Sequence, residues 1–201
     1  MRSLYTPQPS LHVCENIYRT SIPGLFYLAG TVNRDDRGFF VEVASVAAIQ
    51  EAWGRPFTIK QFNHSRSIKG VVRGFHAEAW NKLVTVASGV AFCALADVRP
   101  ASPTFGAVET FMLGHGAGAH GGALFIESGI ANSFCVLEGP VDYVYGVDRL
   151  YRERDPKGDQ AISLFDPDLN VAWPIPRAQM ILSERDRQSK TLRELFPERW
   201  A

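Results

Sequence analysis

The sequence predicts an all-β protein: an antiparallel sandwich or barrel of the jelly-roll kind, with a few short helices at its periphery. Three observations carry the prediction. Between residues 57 and 147, runs rich in β-branched and aromatic residues succeed one another at close spacing. Gly, Pro, Asn and Ser separate these runs, and little helix-forming sequence lies between them. The chain has 201 residues, enough for one sizeable core and short for two. A single domain over 1–201 is therefore expected, with core strands at about 22–175 and a C-terminal helical segment at about 188–197.

The elements follow in order. Residues 1–20 are weakly patterned and hold several turn formers, which suits a short strand or arm. "GLFYLAGTVNRDDRGFFVEVAS" reads as two strands around the polar turn "NRDDRG". "ASVAAIQEAWG" joins helix-forming residues to a terminal Gly, so a short helix is expected there. Short strands then follow in "FTIKQFN", "KGVVRGFH", "KLVTVASG", "AFCALADVR", "AVETFML", "ALFIESG", "SFCVLEG" and "VDYVYGV". "DRLYRERDPKGDQ" is charged and turn-rich, an exposed loop. "ISLFDPDLNVAWPI" suits an irregular segment lying on the barrel, and an amphipathic helix is expected around 189–196.

Composition narrows the function classes. Lys plus Arg and Asp plus Glu both number 21, so no global basic field points to a nucleic-acid or anionic-membrane partner. No apolar run approaches the roughly 18 residues of a membrane span, and "MRSLYTPQPS" lacks the profile of a signal peptide. Cys14, Cys93 and Cys135 lie far apart without CxxC spacing, as reduced thiols do. A soluble cytoplasmic protein is expected.

"VVRGFHAEAWNKLVTV" raises the chemical question, because a strand pair needs no Arg, His and Lys to fold. Strict alternation puts Val72, Gly74 and His76 on one face and Arg73 on the other. A bulge at Gly74 would re-aim one of them and let Arg73, His76 and Lys82 converge in a barrel mouth. The alternative is that Arg73 and Lys82 snorkel to solvent while His76 is a hydrogen-bonded core residue. In "VDYVYGVDRLY", Tyr143 and Tyr145 share a face, so one suits the core and the other a cavity. "NRDDRGFFVE" reads as a solvated turn and an amphipathic strand, and Arg185–Asp186 as a surface ion pair. A metal site wants two or three His with a carboxylate at close spacing. His12, His64, His76, His115 and His120 contain no H-x-H pair, and "GHGAGAHGG" has neither a helix-forming composition nor a phosphate-loop ending. No metal is expected.

Read together, "DDRGFFVE", "QFNHSRSIKGVVRGFH", "KLV", "DVRPASPTFG", "FDPDLNVAWP" and "LSERDR" resemble, in order from about residue 31 to 190, the dTDP-4-keto-6-deoxyglucose 3,5-epimerases of the rhamnose pathway. The resemblance implies a cupin-like jelly roll and cofactor-independent epimerisation of a nucleotide-linked 4-keto-6-deoxy sugar. It implies that His76 is the general base, Asp186 its orienter, Lys82 the partner of the keto oxygen and Tyr145 the acid on the opposite face. Arg37, Arg73, Gln61 and Asn63 match positions that hold diphosphate and sugar, and Phe40, Glu42 and Tyr151 match positions around the nucleotide. Asn132 and Arg185 join the substrate-binding set. The family's early "RGFF" segment crosses a dimer interface, so a homodimer with N-terminal segment exchange is implied, with Arg37 and Phe40 serving the partner's site. The chemistry suits these residue types. Hydrogens beside a ketone are weak acids whose removal wants a base near neutral pKa, a cation at the enolate oxygen and a proton donor on the other face. No cofactor is implied.

Two departures stand out. Where the family carries a second His in "G-x-A-H-G-F", this chain has "SGIANSF", with Asn132 in that place. The loop between His76 and Lys82 is only "AEAWN", which makes Trp80 a candidate to reshape the pocket. The nucleotide therefore stays open among dTDP, GDP and CDP, and the reaction among C3, C5 or both. A catalytically silent sugar-nucleotide-binding jelly roll is the alternative from a different class.

Overall fold

The computed structural model describes residues 4–116, 118–153 and 159–200. Its strands are β1 (His12–Cys14), β2 (Ile17–Arg19), β3 (Leu25–Ala29), β4 (Val32–Asp35), β5 (Gly38–Val41), β6 (Gln61–Ser67), β7 (Val72–Ala77), β8 (Lys82–Asp97), β9 (Val108–Gly114), β10 (Gly122–Ile126), β11 (Ile130–Val147) and β12 (Gln160–Ala161). Three short helices complete the set: α1 (Val46–Trp53), α2 (Glu184–Arg187) and α3 (Leu192–Leu195). Strands thus begin at His12, ahead of residue 22, and the last ends at Ala161. From 162 onward the chain is irregular or briefly helical. The helix expected around 189–196 is confined to α3, because Pro197 lies just beyond it and cannot continue the ladder.

Ten strands form one antiparallel sheet that folds over on itself, the jelly roll of the cupin type. The two longest strands make the fold. "KLVTVASG" and "AFCALADVR" are one strand, β8, and "SFCVLEG" and "VDYVYGV" belong to one strand, β11. Gly89 bends rather than ends β8: its φ is +79°, and a Cβ there would meet the Glu138 carbonyl at 2.5 Å. The matching corner in β11 is a run of register shifts from Val136 to Tyr143. Before its corner β8 pairs β10 and the second half of β11; after it, β9 and the first half. β11 likewise pairs β7 through its first half and β6 through its second.

The two halves face each other across a core that includes Tyr27, Val84, Leu124 and Tyr143 from one and Cys93, Leu95, Phe111 and Phe134 from the other. Each outer face is also covered. The Ser45 side chain caps α1 and Gly54 ends it in the left-handed region, which holds Ala48 and Ile49 against Ile17, Phe26, Leu28 and Phe125. On the other side the C-terminal segment packs Leu164, Leu169, Leu192 and Phe196 over Val72, Phe75 and Ala94. Buried Asp166 pins that segment by accepting the Asp168, Leu169 and Leu192 amides, and Trp173 Nε1 donates to the Leu164 carbonyl at 2.8 Å. Asp97, fully buried, accepts from Arg99, Ser102 and Thr104, so "DVRPASPTFG" is a loop organised around one carboxylate. β4 and β5 stand apart as a two-stranded hairpin. Among the described residues no helix is long and apolar enough to cross a membrane.

Candidate active site

A cavity of about 180 Å³ opens between the two halves of the sheet, lined by Ser65, Arg73, His76, Glu78, Lys82, Asn132, Phe134, Tyr143 and Tyr145. Convergence of Arg73 and His76 depends on a bulge at Gly74. His76 pairs Asn132 and Arg73 pairs Phe134, so β7 spends one residue more than β11 over the same span. Gly74 adopts φ +120°, and a Cβ there would lie 2.4 Å from Ser133 Cβ. The extra residue reverses the parity, and both basic side chains reach the cavity.

His76 Nε2 lies 2.6 Å from Asp186 Oδ1, behind the cavity wall. Asp186 is buried, and its Oδ2 accepts from Ser183 Oγ at 2.8 Å. Burial pushes the Asp186 carboxyl up, but hydrogen bonds from His76 and Ser183 outweigh it and hold the group below the ordinary carboxylate range. Asp186 is therefore ionised and His76 keeps a proton on Nε2, which leaves the Nδ1 lone pair for chemistry. Sheet contacts on either side of α2 hold this arrangement. Val72 N donates to the Ile181 carbonyl, and Ser163 N to the Lys190 carbonyl. The Ser183 side chain caps the helix by accepting the Asp186 amide. Arg185 and Asp186 form no surface pair. Arg185 points away and bonds Asp159 at 2.8 Å, outside the cavity lining.

Lys82 is 5% exposed, and its ammonium donates to Glu78. Tyr145 is half-buried on the neighbouring β11, paired with Val84. Burial first, and then the charge of Glu78, raise its phenol pKa, so it is a protonated donor at neutral pH. Tyr143 is the core member of the pair, stacked on Phe134 with centroids 4.2 Å apart. Its hydroxyl donates to Asn132 Oδ1 at 3.0 Å, which turns the amide nitrogen of Asn132 into the donor left over.

Along β6, Gln61, Asn63, Ser65 and Ser67 alternate with the exposed Phe62, His64 and Arg66. Gln61 Nε2 donates to Asn63 Oδ1, Gln61 Oε1 accepts the Tyr151 amide, and Arg73 Nε donates to Ser67 Oγ at 3.1 Å. Of this row Ser65 lines the cavity itself, and Gln61, Asn63 and Ser67 do not. Arg37, Phe40 and Glu42 do not reach it from the same chain. Arg37 is tied to Asp35 at 2.6 Å on the exposed hairpin, Phe40 is 68% exposed, and Glu42 is exposed just past β5. Tyr151 is also exposed; its loop lies partly outside the described residues, at 154–158. Trp80 is buried beside Tyr151 and does not line the cavity, whereas Glu78 of the same loop does.

The family model for dTDP-4-dehydrorhamnose 3,5-epimerase matches residues 19–194 of the chain. The protein belongs to that family. It is thus an isomerase of the nucleotide-sugar epimerase type. It is 35% identical over 175 residues to the dTDP-4-dehydrorhamnose 3,5-epimerase of Shigella flexneri, spanning 85% of this chain and 92% of that one. It is 31% identical to a dTDP-4-dehydrorhamnose 3-epimerase of Streptomyces niveus, over 86% of this chain and 82% of that one. Among solved structures it resembles the Legionella pneumophila 3,5-epimerase in complex with dTDP-4-keto-L-rhamnose. That match has a TM-score of 0.79 at 33% identity, over 91% of this chain and 95% of that one.

Within this epimerase, Glu78, Ser65 and Phe134 line the cavity although the sequence reading assigned them no role there. The sequence carried a signal for Ser65 and one for Glu78. The "QFNHSRSI" alternation is polar on one face over seven residues of strand, as a wet cavity requires. Glu78 stands four residues before Lys82 in the loop that carries the family's lysine.

Proposed function

We propose that this single-domain epimerase inverts C3, C5 or both in a nucleotide-linked 4-keto-6-deoxy sugar by proton transfer through an enolate. The observation that carries the reading is the His76–Asp186 dyad facing Lys82 and Tyr145 across one cavity. Nδ1 of His76 removes the hydrogen beside the ketone, and Asp186 stabilises the imidazolium that forms. The Lys82 ammonium and the Asn132 amide meet the charge developing on the keto oxygen. His76 comes from β7, which pairs the first half of β11, and Tyr145 from the second half, beyond the corner, so the phenol delivers a proton to the face opposite the base. Each need of an enolate reaction is met by these side chains, which supports a reaction without metal or nicotinamide. Arg73, Gln61 and Asn63 receive the sugar and diphosphate along the polar row of β6.

The nucleotide is assigned to a dimer. Arg37, Phe40 and Glu42 lie outside their own cavity, and the hairpin's aromatic residues, Phe39 and Phe40, are 46% and 68% exposed. Exchange of this hairpin in a homodimer would cover them and bring them to the partner's cavity, with Tyr151 at its rim. The unpaired Cys14, Cys93 and Cys135 suit the cytoplasm, where sugar nucleotides are made. A C3-only reaction is the second reading, supported by the likeness to the Streptomyces niveus 3-epimerase.

The test is proton NMR in deuterated water with dTDP-4-keto-6-deoxyglucose, followed by its GDP and CDP counterparts. Loss of the C3 signal, the C5 signal or both supports the reading. No loss with any of them removes it.

A further inference from the structure

Glu78 has no place in the proton transfers just described, yet it lines the cavity. Its carboxylate takes the Lys82 ammonium, and the two side chains are only 15% and 6% exposed. Only Oε2 is used; among the described residues Oε1 accepts no hydrogen bond, and Glu78 borders the cavity. Its charge also reaches Tyr145 on the neighbouring strand, after burial the next cause of that phenol's raised pKa. A buried ion pair adds little net stability, since desolvation offsets most of the attraction. Its cost is better explained by what the pair presents to a ligand.

The pair offers a donor and an acceptor side by side: the remaining N–H groups of Lys82 and the free oxygen of Glu78. An α-hydroxyketone offers the complement, a carbonyl acceptor and a hydroxyl donor on adjacent carbons. In a 4-keto-6-deoxy sugar that combination exists only on the C3 side, because C5 carries a methyl group. We infer that Glu78 accepts the C3 hydroxyl while Lys82 holds the C4 carbonyl, which makes Glu78 a specificity residue for sugars with a free 3-hydroxyl. The inference rests on the epimerase reading. A ring turned to exchange C3 and C5 would set the methyl group against the carboxylate oxygen and leave a charged acceptor dry and unpaired. Glu78 therefore orients the ring as well as recognising it.

The test compares wild type and Glu78→Gln on dTDP-4-keto-6-deoxyglucose and on its 3-deoxy analogue, with deuterium incorporation as the readout. Wild type should prefer the hydroxylated sugar in kcat/KM by roughly 10- to 100-fold, the value of a hydrogen bond to a charged group. Glu78→Gln should lose most of that preference by slowing on the hydroxylated sugar while changing little on the analogue. Equal losses on both sugars would make Glu78 a mere anchor for Lys82 and overturn the proposal, as would no loss on either. Equal use of the two sugars by wild type would overturn it without any variant. A wild type that exchanges neither sugar would instead remove the epimerase reading itself.

Discussion

Replacing Asp186 with Asn changes no volume and removes one charge, so it tests the dyad with little disturbance to packing. The structure dictates where the new amide points. Ser183 Oγ already accepts the Asp186 amide at 3.2 Å, so its own proton goes to Oδ2 of the carboxylate. In Asp186→Asn, the side-chain oxygen serves Ser183 best, which turns the NH2 group toward His76 Nε2. That nitrogen must then accept, the imidazole proton moves to Nδ1, and no lone pair faces the cavity. The opposite amide orientation restores the tautomer but sets NH2 against Ser183 and leaves the hydroxyl proton without its acceptor. Either way the base is impaired and its imidazolium loses a neighbouring anion. A positioned general base contributes about 10²- to 10⁴-fold, so exchange should slow by that factor, about 3 to 5 kcal/mol of barrier at 1.36 kcal/mol per tenfold. The assay is the rate of deuterium incorporation at saturating sugar nucleotide, with the melting temperature as a control on folding. An Asp186→Asn enzyme within threefold of wild type would refute the tautomer argument.

Other consequences can be checked alongside it. Tyr145→Phe should still wash deuterium into the sugar but return it on the face it left, so exchange outruns inversion when NMR follows both; normal inversion would assign the acid elsewhere. Gly74→Ala places a Cβ 2.6 Å from the Asn132 carbonyl at φ +120°, which should cost about 1–3 kcal/mol in urea unfolding and remove activity by undoing the bulge. Asp97 and Asp186 share a pH signature. Burial raises both carboxyls, but hydrogen bonds from Arg99, Ser102 and Thr104 in one case and His76 and Ser183 in the other lower them further. Folding therefore releases protons at these groups. Their contribution is fully present above the unfolded carboxylate value of about 3.9 and is lost as pH falls through the depressed folded values. Urea midpoints should drop over that acid window, and less steeply in Asp97→Asn, which starts from lower stability.

The fold was legible because its signals are local and repeated. The β-rich runs and their turn residues predict the jelly roll, and Ser45 and Gly54 bound the helix α1 where composition put it. The C-terminal helix was overdrawn, since its pattern is amphipathic but Pro197 and the capping box at Thr191 and Glu194 enclose only one turn. Glycine misled in the other direction. Read as punctuation, it divided β8 and β11 into four strands; in the fold it supplies the bend that lets one strand serve both halves. The site was legible where chain order carries it, through the residues of "GVVRGFH" and "LSERDR". Tertiary contacts decided the rest. Asp186 approaches His76 only because the C-terminal segment is strapped to β7, which no local pattern announces. Arg185 is adjacent in sequence yet faces Asp159, and Glu78 lines the cavity whereas Trp80 of the same loop does not.

The most direct test of the central claim compares wild type with His76→Asn in deuterated water, using whichever 4-keto sugar nucleotide the wild type exchanges. The account predicts that the variant folds, binds the nucleotide and incorporates no deuterium at C3 or C5. Exchange persisting at either carbon near the wild-type rate would contradict it, because the proton would then leave through another base.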